Sequence, residues 1–226
     1  MVGSTVAILA LVLVVGTVTV LAFRSARAGG TGGGCVAAGP GPACTFKNAT
    51  ALAEFSSVSS DGCIYTDAQV SLFDSLTTPG RTATQSVTIF ISKWDGCNQV
   101  SLLSASNFDP NTFQPTFTGT IHLTSDLSTA TVNGTATMYD WNTGTQSFTT
   151  TVNLTFKGYG PTSTFRDLQH FQAPGFTMNT HDTGTNRSAE VSGTFTDDSG
   201  NNIAALPTTF ASEGSSKGGT VQFFRG

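Results

Sequence analysis

Period-two alternation runs through this chain and commits it to extended, half-buried backbone. In "FQPTFTGTIHLT", Phe113, Pro115, Phe117, Gly119, Ile121 and Leu123 share one face, while Gln114, Thr116, Thr118, Thr120, His122 and Thr124 share the other. Successive side chains of a strand point to opposite sides, so such a segment offers one face to a core and one to water. The next two segments repeat the pattern. Ala130, Val132, Gly134, Ala136 and Met138 oppose Thr131, Asn133, Thr135, Thr137 and Tyr139, and after "NTG" the run Phe148, Thr150, Val152, Leu154, Phe156 opposes Ser147, Thr149, Thr151, Asn153 and Thr155. Three such segments with short connections predict an antiparallel meander, apolar on one side and threonine-rich on the other. Threonine favours strands and its hydroxyl tolerates water, so a wet sheet face accounts for these rows. An ice-binding hydroxyl array would need a flat sheet, whereas neighbouring strands twist by roughly 20–25°.

The same reading predicts strands at 49–58, 64–73, 84–93, 99–105, 164–172, 176–182, 187–197, 202–210 and 219–224, separated by turn chemistry such as "SSDG", "TTPG", "WDGC", "DPNT", "APG", "DTGTN" and "DDSGNN". No stretch sustains helical spacing. About ten or more strands at this interval predict an all-β fold, an antiparallel β-sandwich or a barrel-like two-sheet fold. Residues 46–226 read as one domain, since a chain of this size buries about 70% of its unfolded surface in a single core.

The N-terminus differs in kind. Val6 to Phe23 are almost wholly apolar, and "SARA" places small residues at Ala26 and Ala28, as an export cleavage site requires. Residues 1–28 are expected to be a signal peptide and the mature protein to be secreted. The alternative is an uncleaved anchor holding it at the outer face of the membrane, because the apolar run is long enough to span a bilayer. Residues 29–45 are a Gly/Ala/Pro arm with Cys35 and Cys44. Four cysteines in an exported chain suggest two disulfides. Cys35 with Cys44 and Cys63 with Cys97 are the expected pairs, the second because "DGC" recurs at Asp61–Cys63 and Asp95–Cys97, turns of like chemistry that would sit side by side.

Charge and composition narrow the function. The formal charge of −4 becomes −6 once Arg24 and Arg27 leave with the signal, which argues against nucleic acid as a partner. Glutamates number three, Glu54, Glu190 and Glu213, in separate segments, and no nucleophile elbow or His-Glu-x-x-His helix occurs, so an enzyme is not expected. No cofactor is implied. "TDDSGNN" and "HDTGTN" contain oxygen ligands without calcium-loop spacing and read as hairpin turns. Two clusters suggest binding. Tyr139 and Trp141 lie on the outward parity near a hairpin tip, with Phe90 and Trp94 opposite Val87, Ile89 and Ile91, and exposed rings of this kind stack on sugar faces. In "FRDLQHFQAPGFTMNTHDTG", a turn at Pro174-Gly175 would place Arg166, Leu168, His170 and Gln172 beside Thr177, Asn179 and His181, a face suited to an anion or a metal.

The segments "EFSSVSSDGCIYTDAQVS", "VTIFISKWDGC" and "HFQAPGFTMNTHDTGTNRSAEVSGT" resemble, over most of the mature chain, exported bacterial all-β proteins of unknown function. That resemblance implies export and a β fold, and transfers no functional residue. The expectation is therefore a secreted, non-enzymatic binding module for an extracellular glycan or cell-envelope component, with no membrane association once the signal is removed. Its binding residues are Tyr139, Trp141, Arg166, His170, Asn179 and His181. The rival is a metal-binding protein or secreted enzyme built on His170 and His181.

Overall fold

The computed structural model describes residues 43–78, 82–141, 145–173 and 176–224. The expected signal peptide, Cys35 with its bridge to Cys44, and most of the Gly/Pro arm lie outside the described residues. Nine strands make up nearly all of the rest: β1 Ala43–Val58, β2 Ile64–Thr78, β3 Thr82–Asp95, β4 Val100–Ser106, β5 Phe117–Leu123, β6 Thr129–Asp140, β7 Thr145–Ala173, β8 Phe176–Phe195 and β9 Thr208–Phe224. Every pairing is antiparallel. The first strand begins at Ala43, inside the stretch expected to be an arm, and buries Cys44.

The extended segments read from the sequence merge into nine strands because three of these run through apparent breaks. The "KGYGP" stretch falls between two expected strands, yet the 29-residue β7 runs through it, absorbing it as a register shift between Tyr159 and Ser163, with Gly160 at φ +69°. Likewise "DTGTN" lies inside β8. In β9, "SEGSSKGG" pairs on one side with β1 and on the other with β8. A strand hydrogen-bonded along both edges overrides the weak local preference of Gly and Ser, since β propensity depends mostly on context. The expected strand at 202–210 is instead a 3-10 turn at Ile203–Ala205 followed by β9.

The sheet order is β4-β3-β2-β1-β9-β8-β7-β6-β5, and β4 pairs again with β6 through Ala105↔Asp140 and Ser106↔Tyr139. Eight strands thus form a closed ring with β5 laid along β6, which is the barrel-like arrangement. Alternation then sorts the side chains: Ala51, Ala53 and Phe55 of β1, Val70 and Leu72 of β2, Ile89 and Ile91 of β3, Val132 and Met138 of β6, and Val152, Leu154 and Phe156 of β7 fill one interior. Thr149, Thr151, Asn153 and Thr155 face outward and are exposed, so the threonine rows coat the wet side of the barrel. Gly119 and Gly134 sit opposite each other and make room for the Phe117 ring, which a Cβ on either would strike at 2.8 or 2.6 Å.

Only half of the long strands take part in closure. The β3–β4 ladder begins at Phe90 and the β6–β7 ladder ends at Lys157, so β3, β2, β1, β9, β8 and β7 continue past the barrel as an open arm. Where the ring parts, Asn107 replaces a strand. Its backbone N–H donates to Ile89 O at 3.2 Å, its Oδ1 accepts from Ile89 N at 2.8 Å, and its Nδ2 donates to Val87 O at 2.8 Å. Its carbonyl accepts from Thr116 N at 2.8 Å, and the one proton of the Thr116 hydroxyl is shared between Thr137 O at 2.7 Å and Asn107 O at 3.0 Å. Asn107 is fully buried, so these bonds satisfy groups that water cannot reach.

Both barrel ends are stoppered. At one, the β8–β9 connection inserts Ile203 and ties Lys93 to Asp197 at 2.8 Å and to Asp198. Burial works against the charge on Lys93, but bonds and attraction from the two aspartates outweigh it and hold its pKa above the ordinary lysine value. At the other, the β5–β6 turn inserts Leu127, whose φ is +57°. The Cys63–Cys97 disulfide joins the β1–β2 and β3–β4 turns with Cα atoms 5.1 Å apart. The turns share chemistry as expected: Asp61 accepts from Cys63 N and Asp95 from Cys97 N.

Removing the bridge with Cys63→Ser and Cys97→Ser frees a loop of 34 residues and is expected to lower stability by about 3–4 kcal/mol in urea titration. Asn107→Ala strands Ile89 N and Val87 O, and the same titration should show a loss of about 2–6 kcal/mol, the desolvation penalty of two unbonded buried groups.

Candidate functional site

The closure that joins β4 to β6 gathers the outward aromatics. On the outer face, Glu54, Gln69, Phe90, Ser106 and Tyr139 form one cross-strand row running from β1 to β6. Ser106 is fully buried in the middle of it, flanked by Phe90 and Tyr139. Trp141, one row on, donates its backbone N–H to Ser104 O at 2.8 Å and its indole N–H to Ser106 Oγ at 2.8 Å, and remains 46% exposed. A tryptophan tied through both its backbone and its indole, and still partly exposed, loses little entropy when a flat ligand lies on it. Phe108 packs on Phe90 at 6.1 Å between centroids and supports the patch from the side. Two rows from Tyr139, half-buried Trp94 lies opposite half-buried Tyr65, with exposed Leu102 and Val58 nearby.

Polar groups stand between the rings. Gln69 donates to Glu54 at 3.1 Å, and Ser92 of β3 faces Asp67 of β2 and Ser104 of β4. Partial burial, the largest influence, raises the Glu54 pKa above the usual carboxylate value, against the bond from Gln69 and together with the nearby Asp67 charge. The face therefore mixes planar apolar surface with hydroxyl, amide and carboxyl groups.

The second expected cluster assembles in the predicted register but at a distance from the first, on the open arm. Arg166 pairs with Thr183, Leu168 with His181, His170 with Asn179 and Gln172 with Thr177. The two histidines are diagonal neighbours, and His170 Nδ1 lies 2.6 Å from Asn179 Oδ1. Arg166, His170, Asn179 and His181 are all exposed. No group of three His, Cys, Asp or Glu ligands converges among the described residues.

Long-range pairing also creates features that no local motif announces. Glu213 of β9 faces the interior between Ala51 of β1 and Arg187 of β8, is 2% exposed, and leaves Oε1 without a hydrogen-bond partner among the described residues. Arg187 donates from Nε to Gly160 O at 3.1 Å and from Nη1 to Leu127 O at 3.3 Å. Burial, the dominant cause, pushes the Glu213 carboxyl above its ordinary range, although attraction to Arg187 pulls the other way. The single signal in the sequence is a glutamate on the same parity as Ala211.

No family model matches the chain, and no curated protein matches it. One solved structure with a measurable likeness is that of "Enduracididine biosynthesis enzyme MppR complexed with pyruvate"; the match covers 85% of this chain and 91% of that one at 10% identity, and its TM-score of 0.28 carries no functional argument.

A raised folded pKa for Glu213 means that the native state keeps a proton which the unfolded chain releases near 4.5. Stability from this group is therefore complete below pH 4.5 and falls as pH rises through the folded pKa. Glu213→Gln, which cannot ionise, should remove that fall and leave this contribution to stability flat, as measured by urea titration from pH 4 to pH 8.

Proposed function

We propose that the protein is a secreted, non-enzymatic binding module that holds an extracellular glycan on the outer face of β3, β4 and β6. The observation that carries this reading is Trp141, tied by its indole N–H to Ser106 and by its backbone N–H to Ser104, and still 46% exposed beside the Phe90–Ser106–Tyr139 row. Pyranose rings present flat C–H faces bordered by hydroxyls, and the site presents aromatic rings with Ser92, Ser104, Gln69 and Glu54 on neighbouring positions of the same face. Phe90 and Phe108 contribute by keeping Ser106 dry and the Trp141 anchor rigid.

Export is supported by the Cys63–Cys97 bridge, since disulfides persist in oxidising compartments. Among the described residues no helix is long and apolar enough to cross a membrane.

Trp141→Ala should abolish glycan-array signal or weaken affinity by tenfold or more, as truncating a central aromatic anchor does, while the melting temperature changes little. Array binding that survives Trp141→Ala contradicts the reading. Stoichiometric zinc or copper in the purified protein, lost in His170→Ala, would support the rival metal-centred reading instead.

A further inference from the structure

The arm beyond the barrel has an inner face continuous with the core side of the strands, and that face is basic. Lys47 of β1 lies directly opposite Lys217 of β9, Lys217 opposite Thr183 of β8, and Thr183 opposite Arg166 of β7. Lys47 shares its parity with Ala51 and Ala53, and Lys217 shares its parity with Glu213, so all three cations project to one side. The next row contributes Thr45, Gly219 and His181, and the one after it Asn179 and His170. Lys47, Lys217, Arg166, His170 and His181 are all exposed.

Like charges directly opposite on adjacent strands repel. Among the described residues the lysine ion pairs belong to Lys93. Asp74 of β2, diagonal to Lys47 on the same face, accepts from Gln85 Nε2 at 3.2 Å and places one carboxylate at the edge of the basic row. A chain with a formal charge of −4 and ten Lys and Arg thus gathers three of them with two of its three histidines on one surface. Such a concentration lowers stability unless an anion covers it.

We propose that this face binds an anionic polysaccharide, whose carboxylates or sulfates lie along the Lys47–Lys217–Arg166 row. Strands repeat every 4.7–4.9 Å, so the three cations span roughly 14 Å across β1, β9, β8 and β7, a reach suited to a chain of charges rather than to one ion. Thr45, Thr183, Thr185, Ser215 and Asn179 supply hydroxyl and amide partners for sugar oxygens on the same side. These rows hold no Phe, Tyr or Trp among the described side chains, and so lack the stacking platforms that single-stranded nucleic acids use. The site is separate from the Trp141 face and does not depend on it.

Calorimetric titration of the mature chain with polygalacturonate, a sulfated glycosaminoglycan oligosaccharide, inorganic polyphosphate and neutral dextran tests this. Expected are binding of a carboxylated or sulfated glycan at 50 mM salt, at least tenfold weaker at 300 mM salt, and at least tenfold weaker in Lys47→Ala/Lys217→Ala, with Trp141→Ala unchanged. The melting temperature of the double variant should hold or rise as the repulsion disappears. If that variant fails to fold, Arg166→Gln, at an exposed position, reads the same face and should weaken binding at least threefold. The proposal is overturned by absence of binding at 50 mM salt, by affinity unchanged in the variants, or by polyphosphate binding more tightly than either charged glycan.

Discussion

One buried asparagine decides whether the sheet closes. Eight strands surround the interior of this protein, yet β4 is seven residues long and meets β6 at two positions. Past Ser106 the ring has no strand to complete it, and Asn107 takes that role with its side chain, bonding Ile89 N and Val87 O as a neighbouring backbone would. Thr116 carries the connection on to Thr137 of β6. An aliphatic residue of matching size would fill the space and leave those two backbone groups unpaired, a penalty that apolar contact at one position does not offset. The apolar interior and the orientation of the outer face both follow from this short bridge.

Closure also explains why the two candidate faces differ. In the lower half the ring is complete, so outward side chains on β3, β4 and β6 are fixed relative to one another, and Tyr139 and Trp141 gain neighbours from strands about 35–50 residues away in sequence, Phe90 and Ser106 among them. In the upper half the sheet opens, and the parity that buries Ala51 and Phe156 exposes Lys47, Lys217 and Arg166 to solvent. An open arm also exposes strand edges. Pro161 and Arg166 on the free stretch of β7 are features that discourage pairing with another chain.

Alternation made the strands and their buried faces legible: Val152, Leu154 and Phe156 are buried and Thr151, Asn153 and Thr155 are exposed, as period two requires. The hairpin register around Pro174-Gly175 was legible for the same reason, because two adjacent strands of known parity admit few pairings. The recurrence of "DGC" pointed to the Cys63–Cys97 bridge because two Asp-led turns place their third residues alike. Strand length was obscured where Gly and Pro, as in Gly158–Pro161, sit inside a ladder that continues on either side of them. Long-range neighbours were invisible locally: Lys47 and Lys217 are 170 residues apart, and nothing near Glu213 in sequence foretells Arg187 opposite it.

Amide hydrogen exchange at Ile89 tests the closure most directly, since its N–H bonds to the Asn107 side chain where a neighbouring strand would otherwise stand. The structure predicts protection comparable to Val70 and Leu154 in the core, with Trp141 N–H protected alongside it, and loss of both in an Asn107→Leu variant while β1 and β9 amides stay slow. Exchange of the Ile89 amide at the rate of an exposed sheet edge in the unaltered protein would contradict a closed barrel and the aromatic face built on it.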